Sequence, residues 1–243
     1  MKLKQVFNYQ LYDARTAVTI FYGVILSINI FFTSVLMVHG GEVEFGGMES
    51  STIVFLFIAG LNSFKGPFRF LLANGVSRRT QFWGFILSVP ALAGIMELAD
   101  SLIALLLSRV ASYESMYAQL YGSWYAAGPG ALFWLEKLVW SVLLSSAAMM
   151  VGFCITLLYY RMSKLAVVMV SVFVPVFFVV VLPYIDYRLA GGRISSAIFS
   201  FLQRVTGFAS TPNPYIFMLF CVVASALAGL GSWMLMRRAV IKE

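Results

Sequence analysis

Charge is scarce in this chain. Of 243 residues only 11% are Asp, Glu, Lys or Arg, while 61% are hydrophobic. A soluble domain is nearer a quarter charged, and a soluble fold this apolar exposes large greasy patches that soluble monomers avoid. Histidine and cysteine are also nearly absent. His39 is the single histidine and stands in a Gly-rich stretch with no companion ligand, which argues against a metal site. Cys154 and Cys221 both lie inside apolar runs and read as small buried hydrophobes rather than a disulfide or redox pair. There is no Gly-x-x-x-x-Gly-Lys-Ser/Thr loop to cradle nucleotide phosphates, no Gly-x-Ser-x-Gly elbow and no His-Glu-x-x-His pair. The chain is therefore not expected to be an enzyme or to bind a cofactor of its own. Low-complexity tracts, domain-sized linkers and obvious repeats are missing as well, which leaves one membrane domain as the simple organisation.

Long apolar runs are what the chain has in abundance, and its mean hydropathy is +0.89. Crossing about 30 Å of hydrocarbon takes roughly 20 helical residues. Six segments meet that need: 17–38, 51–70, 82–107, 131–159, 165–182 and 216–236, the second weakened by Lys65 and Arg69. The expected fold is all-α, a polytopic membrane protein of six spans occupying 17–243 behind a helix at 1–16. Lys2 and Lys4 precede the first run, which is span-length and lacks a small-x-small cleavage site after it, so an uncleaved helix fits better than a signal peptide. The net charge of +7 does not point to nucleic acid, because the basic residues cluster between apolar runs. With the N-terminus inside, twelve of the 17 basic residues fall on the inner side, and Arg109, Lys137, Arg188, Arg193 and Arg204 fall outside. The first outer loop holds Glu42, Glu44 and Glu49 without a base. The positive-inside rule then places both termini in the cytoplasm of a cell membrane.

Two segments are helical but too short or polar to span. In 2–16, Leu3, Val6, Phe7, Leu11 and Ala14 share a face opposite Lys4, Asn8, Tyr12 and Arg15, the pattern of an amphipathic helix lying along the inner leaflet. In 193–207, Ile194, Ala197, Ile198, Phe201, Leu202 and Val205 recur at helical spacing on the outer side, before Pro212 and Pro214 break the chain. Pro90 and Pro175 are expected to kink spans three and five. Ala224, Ala228 and Ser232, with Ser225 and Gly229, mark a close-packing face on the last span, which serves either the bundle itself or a subunit contact.

Intramembrane charge is the usual sign of function in such a chain. Glu97 and Asp100, three apart, share a face of span three, and Lys137 reaches a similar depth on span four. The expectation is either an ion pair of Lys137 with one of these acids or a polar pathway lining. On the other side, the stretch 64–81 reads FKGPFRFLLANGVSRRTQ. It combines Lys65, Arg69, Arg78 and Arg79 with the apolar Phe68, Phe70, Leu71 and Leu72, a turn at Asn74-Gly75 and a helix-capping Ser77. It is either an ordinary basic loop or a short helix presented to a partner.

This layout resembles the permease subunits of type-2 ABC transporters, the exporter class: an N-terminal amphipathic helix, six spans and a basic loop after span two. The segment 71–81, LLANGVSRRTQ, is similar to the loop by which that family contacts its ATPase. The resemblance implies an ATPase-coupling loop containing Arg69, Leu71, Asn74, Gly75, Ser77, Arg78 and Arg79. It also implies a cytoplasmic ATP-binding subunit that holds ATP and magnesium, and a second permease subunit, identical or not. An export pathway for hydrophobic or amphipathic cargo such as peptide would lie between the two. Two other readings stand beside it: a secondary transporter or channel using Glu97 and Asp100, and a membrane immunity or assembly factor that moves nothing.

Overall fold

The computed structural model describes residues 2–38, 44–109, 112–125, 130–207, 213–237 and 239. His39, Glu42 and Pro212, together with Arg238 and Lys242 of the basic set, lie outside them. The chain is helical, with five helices long and apolar enough to cross a membrane, or six if one bent pair counts as a span. In order these are α1 (Lys2–Val38), the bent pair α2 (Met48–Asn62) and α3 (Lys65–Ala73), α4 (Arg78–Leu107), α6 (Ala131–Arg161), a run starting with α7 (Lys164–Val176), and α10 (Pro214–Arg237). The small elements are α5 (Met116–Tyr121), α8 (Leu182–Ile185) and α9 (Arg193–Val205). One feature departs from a purely helical expectation. Glu44–Gly46 (β1) and Ser112–Glu114 (β2) pair in parallel, Phe45 opposite Tyr113, and tie the two loops at one end of the bundle together.

No break separates the segment expected to lie on the membrane from span one. α1 runs unbroken for 37 residues, about 55 Å at 1.5 Å per residue, so it extends well beyond a 30 Å hydrocarbon layer. Most of its apolar stripe is occupied by the protein itself: Val6 is buried, and Leu11, Ala14 and Val18 pack on the main core, while Leu3 at the start stays exposed. The partner is α4, in parallel and in register. Val6 meets Gly84 and Tyr22 meets Asp100, the same sequence offset at points 16 residues apart. A Cβ on Gly84 would stand 2.4 Å from Val6 Cγ1, so the bare backbone there sets the spacing of the two helices.

The closest crossing is that of α2 with α6, also parallel. A Cβ on Gly60 would lie 2.1 Å from the Met149 carbonyl oxygen, and one on Gly152 would lie 2.3 Å from that of Phe57. The two backbones touch through glycine from both sides, as small residues permit in membrane helices. Around this crossing, Leu56, Phe64, Phe68, Phe85, Met96, Met149, Phe153 and Leu157 form the main core. Phe85 and Phe153 stack with centroids 3.9 Å apart. On the other side of α6, α10 packs through its small residues, with Gly229 against Met150 and Gly231 against Cys154. Gly229 and Ser232 are buried within the chain, so at these points the small-residue row serves intramolecular packing.

The fifth apolar run stands apart. No residue of α7 is buried, and after Pro175 the helix loosens into π-helical turns at Phe177–Val181 and Asp186–Ala190 around α8. Pro90, by contrast, sits inside an uninterrupted α4. The chain then reverses at Gly191 and Gly192, both with positive φ. Asp186 accepts the backbone N–H groups of Ile194 and Ser195, each at 2.8 Å, which caps α9. No residue of that helix is buried, and all but Gln203 and Val205 are exposed.

The glycine crossing makes a direct forecast. Gly60→Ala and Gly152→Ala each force backbone apart and are expected to cost about 1–3 kcal/mol. Gly94→Ala, where an added Cβ meets nothing within 4 Å, is expected to be neutral or to stabilise α4. Thermal unfolding of the three variants in one detergent checks this ordering.

Candidate functional site

α1, α2, α4 and α6 converge on a polar chamber near the end of the bundle that carries β1 and β2. Asp100 is 22 residues from Arg78, about 33 Å along α4, and Lys137 lies in the second turn of α6. Glu49, Glu97, Asp100 and Lys137 are all buried, none more than 5% exposed. Tyr22 Oη lies 2.8 Å from both Asp100 Oδ1 and the Met96 carbonyl oxygen and donates its proton between them. Ser145 donates to Glu97 Oε1 at 2.7 Å. Thr52, one turn beyond Glu49 on α2, faces both Asp100 and Tyr22. Asp100 Oδ2 keeps no hydrogen bond of ordinary geometry.

The lysine takes a partner that depth-counting did not suggest. Lys137 Nζ lies 3.3 Å from Glu49 Oε1, the ion pair found among the described residues. The expected pairing with Glu97 or Asp100 is thereby replaced, although Lys137 still exerts an electrostatic pull on both. The reason is geometric. α2 and α6 are parallel, and the glycine crossing sets Glu49 level with Lys137 on adjacent helices. Glu49 also accepts the Met116 N–H at 3.3 Å, which links α5 to α2. Lys137 Nζ lies 5.5 Å from the Trp134 ring centroid and 6.0 Å from that of Tyr113. Tyr113, on β2 and outside the helices, has its hydroxyl pKa raised by burial and by the neighbouring Glu49.

Three carboxylates therefore share a chamber with one ammonium group. Two surplus negative charges in a low-dielectric space are costly, and the surplus must be met by protons, by a cation or by water. A cavity of about 390 Å³, lined in part by Ser101, Tyr113, Tyr125, Trp134 and Lys137, opens beside the chamber. Such an arrangement can hold or relay positive charge.

A second buried carboxylate group lies alongside. Glu136 accepts hydrogen bonds from Tyr117 and Tyr215, joining α6 to α5 and α10. Tyr117, Tyr121, Phe133 and Trp140 form the aromatic cluster beneath it. Neither Glu136 nor Tyr22 nor the inward turn of Glu49 follows from periodicity. The available signals were weak: a carboxylate next to Lys137 in sequence, and a tyrosine inside an apolar span.

At the opposite end, α3 bends 44° from α2 at Ser63-Phe64. It closes in a paired turn: Gly75 N–H bonds the Leu72 carbonyl and Val76 N–H bonds the Leu71 carbonyl, with Gly75 at φ 67°. Ser77 Oγ then accepts the Thr80 N–H and starts α4. Of the residues expected to form a docking surface, Arg69, Asn74, Gly75, Ser77 and Arg79 are exposed. Leu71 is turned inward with Phe68 and Pro67, because the apolar face of α3 packs on its own protein. Phe68 stacks on Phe64 beside Tyr160, and the exposed Phe70 stacks on Tyr9 at 5.1 Å. Arg78 is likewise engaged, its Nη1 donating to the Arg237 carbonyl at the end of α10 at 3.0 Å.

No family model, no curated protein and no solved structure matches this chain. Among the described residues there is no cluster of three or more His, Cys, Asp or Glu arranged to hold a metal ion.

Breaking the buried ion pair on one side leaves a bare charge, so Lys137→Met is expected to cost about 3–5 kcal/mol. Adding Glu49→Gln removes the orphaned charge and is expected to recover most of that loss. Exchanging Asp100 and Lys137 is expected to recover none. Thermal unfolding of the single and double variants tests the assignment of Glu49 as the partner.

Proposed function

We propose that this chain is the membrane-spanning subunit of an ATP-driven exporter, related to the permeases of type-2 ABC transporters. In this reading six spans form half of a pathway for hydrophobic or amphipathic cargo, such as a peptide. A separate ATP-binding subunit holds ATP and magnesium, and a second permease subunit, identical or not, completes the pathway. Both termini face the cytoplasm, and α1 carries an amphipathic N-terminal third at the inner surface of the cell membrane.

The observation that supports this reading best is the elbow of α3. It is a short helix bent away from α2, anchored by Phe68 and Leu71 and closed at both ends by its own turns. Its outward side carries Lys65, Arg69 and Phe70. A rigid, anchored, basic elbow can pass a push from a partner into α2 and, through the glycine crossing, into α6. The short arm ends where the ends of α1, α4, α6 and α10 also meet, so motion there reaches four helices.

A second reading draws on the acidic chamber. Glu49, Glu97 and Asp100 with Lys137 suit a carrier of protons or cations that needs no ATPase. It predicts transport that follows an ion gradient and ignores nucleotide.

Purification from native membranes in mild detergent separates the two. The exporter reading expects an ATPase to accompany the chain and to be lost, by tenfold or more, on Lys65→Glu with Arg69→Glu. Helicity should stay unchanged, and Lys65→Glu alone, at an exposed position, gives the same readout if the double variant loses stability. A chain that arrives without ATPase, or keeps it in that double variant, overturns the coupling role of α3.

A further inference from the structure

An open apolar groove of about 780 Å³ runs between α4, α6 and α10 on the outside of the bundle, lined among others by Ile86, Pro90, Val142, Met150, Ala226 and Leu230. On α4 it extends from Arg79 to Pro90, 11 residues or about 16 Å, which is the depth of one leaflet of a 30 Å hydrocarbon layer. At its mouth lies a second cavity of about 420 Å³ formed by Lys2, Leu3, Arg79, Thr80 and Trp83. Arg79 and Trp83 line both, so the two adjoin. Trp233 stands across the groove from Trp83, a pair of indoles at the level where membrane proteins meet the polar interface.

We propose that this groove binds one anionic phospholipid, its phosphate held by Arg79, Lys2 and the Thr80 hydroxyl, and an acyl chain laid along the groove. Among the described residues no hydrogen bond or ion pair engages the Arg79 guanidinium, which leaves its fork of donors for a phosphate. Lys2 spends one donor on the Gly75 carbonyl at 3.4 Å and keeps two. The basic mouth and apolar trough match the two halves of a lipid, and basic pockets between helices are recognised lipid headgroup sites. A second copy of the chain is a poorer occupant. Two copies inserted the same way bring their basic ends level, so Lys2 and Arg79 would face like charge. The proposal does not depend on the exporter reading, because the groove and its mouth include neither Lys65 nor Arg69, the residues of α3 on which that reading is tested.

The test is native mass spectrometry of the full-length protein in mild detergent, titrated with phosphatidylglycerol or with phosphatidylcholine of the same chains. The wild type is expected to retain phosphatidylglycerol at least fivefold better, about the value of one basic side chain at a membrane surface. Arg79→Gln should lower phosphatidylglycerol binding about fivefold and leave phosphatidylcholine binding as it was. Lys2→Gln, at an exposed position that carries no core packing, provides the same readout if Arg79→Gln proves unstable. Ala226→Trp, which fills the trough, should lower both lipids. Equal retention of the two lipids by the wild type, or phosphatidylglycerol binding indifferent to Arg79 and Lys2, overturns the proposal. So does cross-linking between copies through Ala226→Cys in a variant whose native cysteines are alanine, since a second copy then fills the groove.

Discussion

The contact of α2 with α6 through Gly60 and Gly152 is the constraint on which the remaining architecture hangs. In a membrane, apolar side chains gain little by leaving lipid for protein, so helices associate where their backbones fit. Here glycine removes the side chain on both partners, and the peptide groups approach to a distance no Cβ would tolerate. Because the two helices run parallel at this contact, a point in the first turn of α2 is carried to the second turn of α6. Glu49 and Lys137 meet there as a consequence. The ion pair is thus a product of the crossing rather than its cause. Buried ion pairs bring little net stability of their own but fix position, because each partner is costly without the other.

The same logic explains why polar residues gather in one place. Tyr22 reaches Asp100 because Val6 sits on Gly84 sixteen residues earlier, in a parallel pair that keeps its offset. Ser145 reaches Glu97 because α6 runs antiparallel to α4 past Phe85 and Phe153. Each contact in the chamber is therefore fixed by an apolar contact nearer the other end. The chamber has rigid walls and an unbalanced charge, a combination that packing alone does not require.

Much of the fold was legible in the sequence because the bilayer imposes length and apolarity on every span. The helix at 193–205, the turn at Asn74-Gly75 and the cap at Ser77 were legible too, since local chemistry dictates them. What escaped is what depends on neighbours. The apolar face of 2–14 looks like a membrane-surface stripe, yet Val6 spends it on Gly84. Leu71 looks available to a partner, yet it covers the core beside Phe68. Glu49 reads as an outer-loop charge, because nothing in periodicity says that a loop edge folds inward. The pairing of β1 with β2 joins residues nearly seventy apart and leaves no local mark.

Arg78 and Arg79 show how far a single helical step separates roles. Successive residues on a helix differ in direction by about 100°. Arg78 consequently points across the bundle and satisfies a carbonyl at the end of α10, where the helix leaves its last acceptors unpaired. Arg79 points along the lipid-facing side into the groove with Trp83. As a pair in the sequence they look like one patch obeying the positive-inside rule. As placed by α4, one fixes where α10 ends and the other faces the membrane. At this end of the bundle the exposed charges of α3 are Lys65 and Arg69, whereas the two charges that open α4 are divided between a contact with α10 and an outward-facing apolar groove.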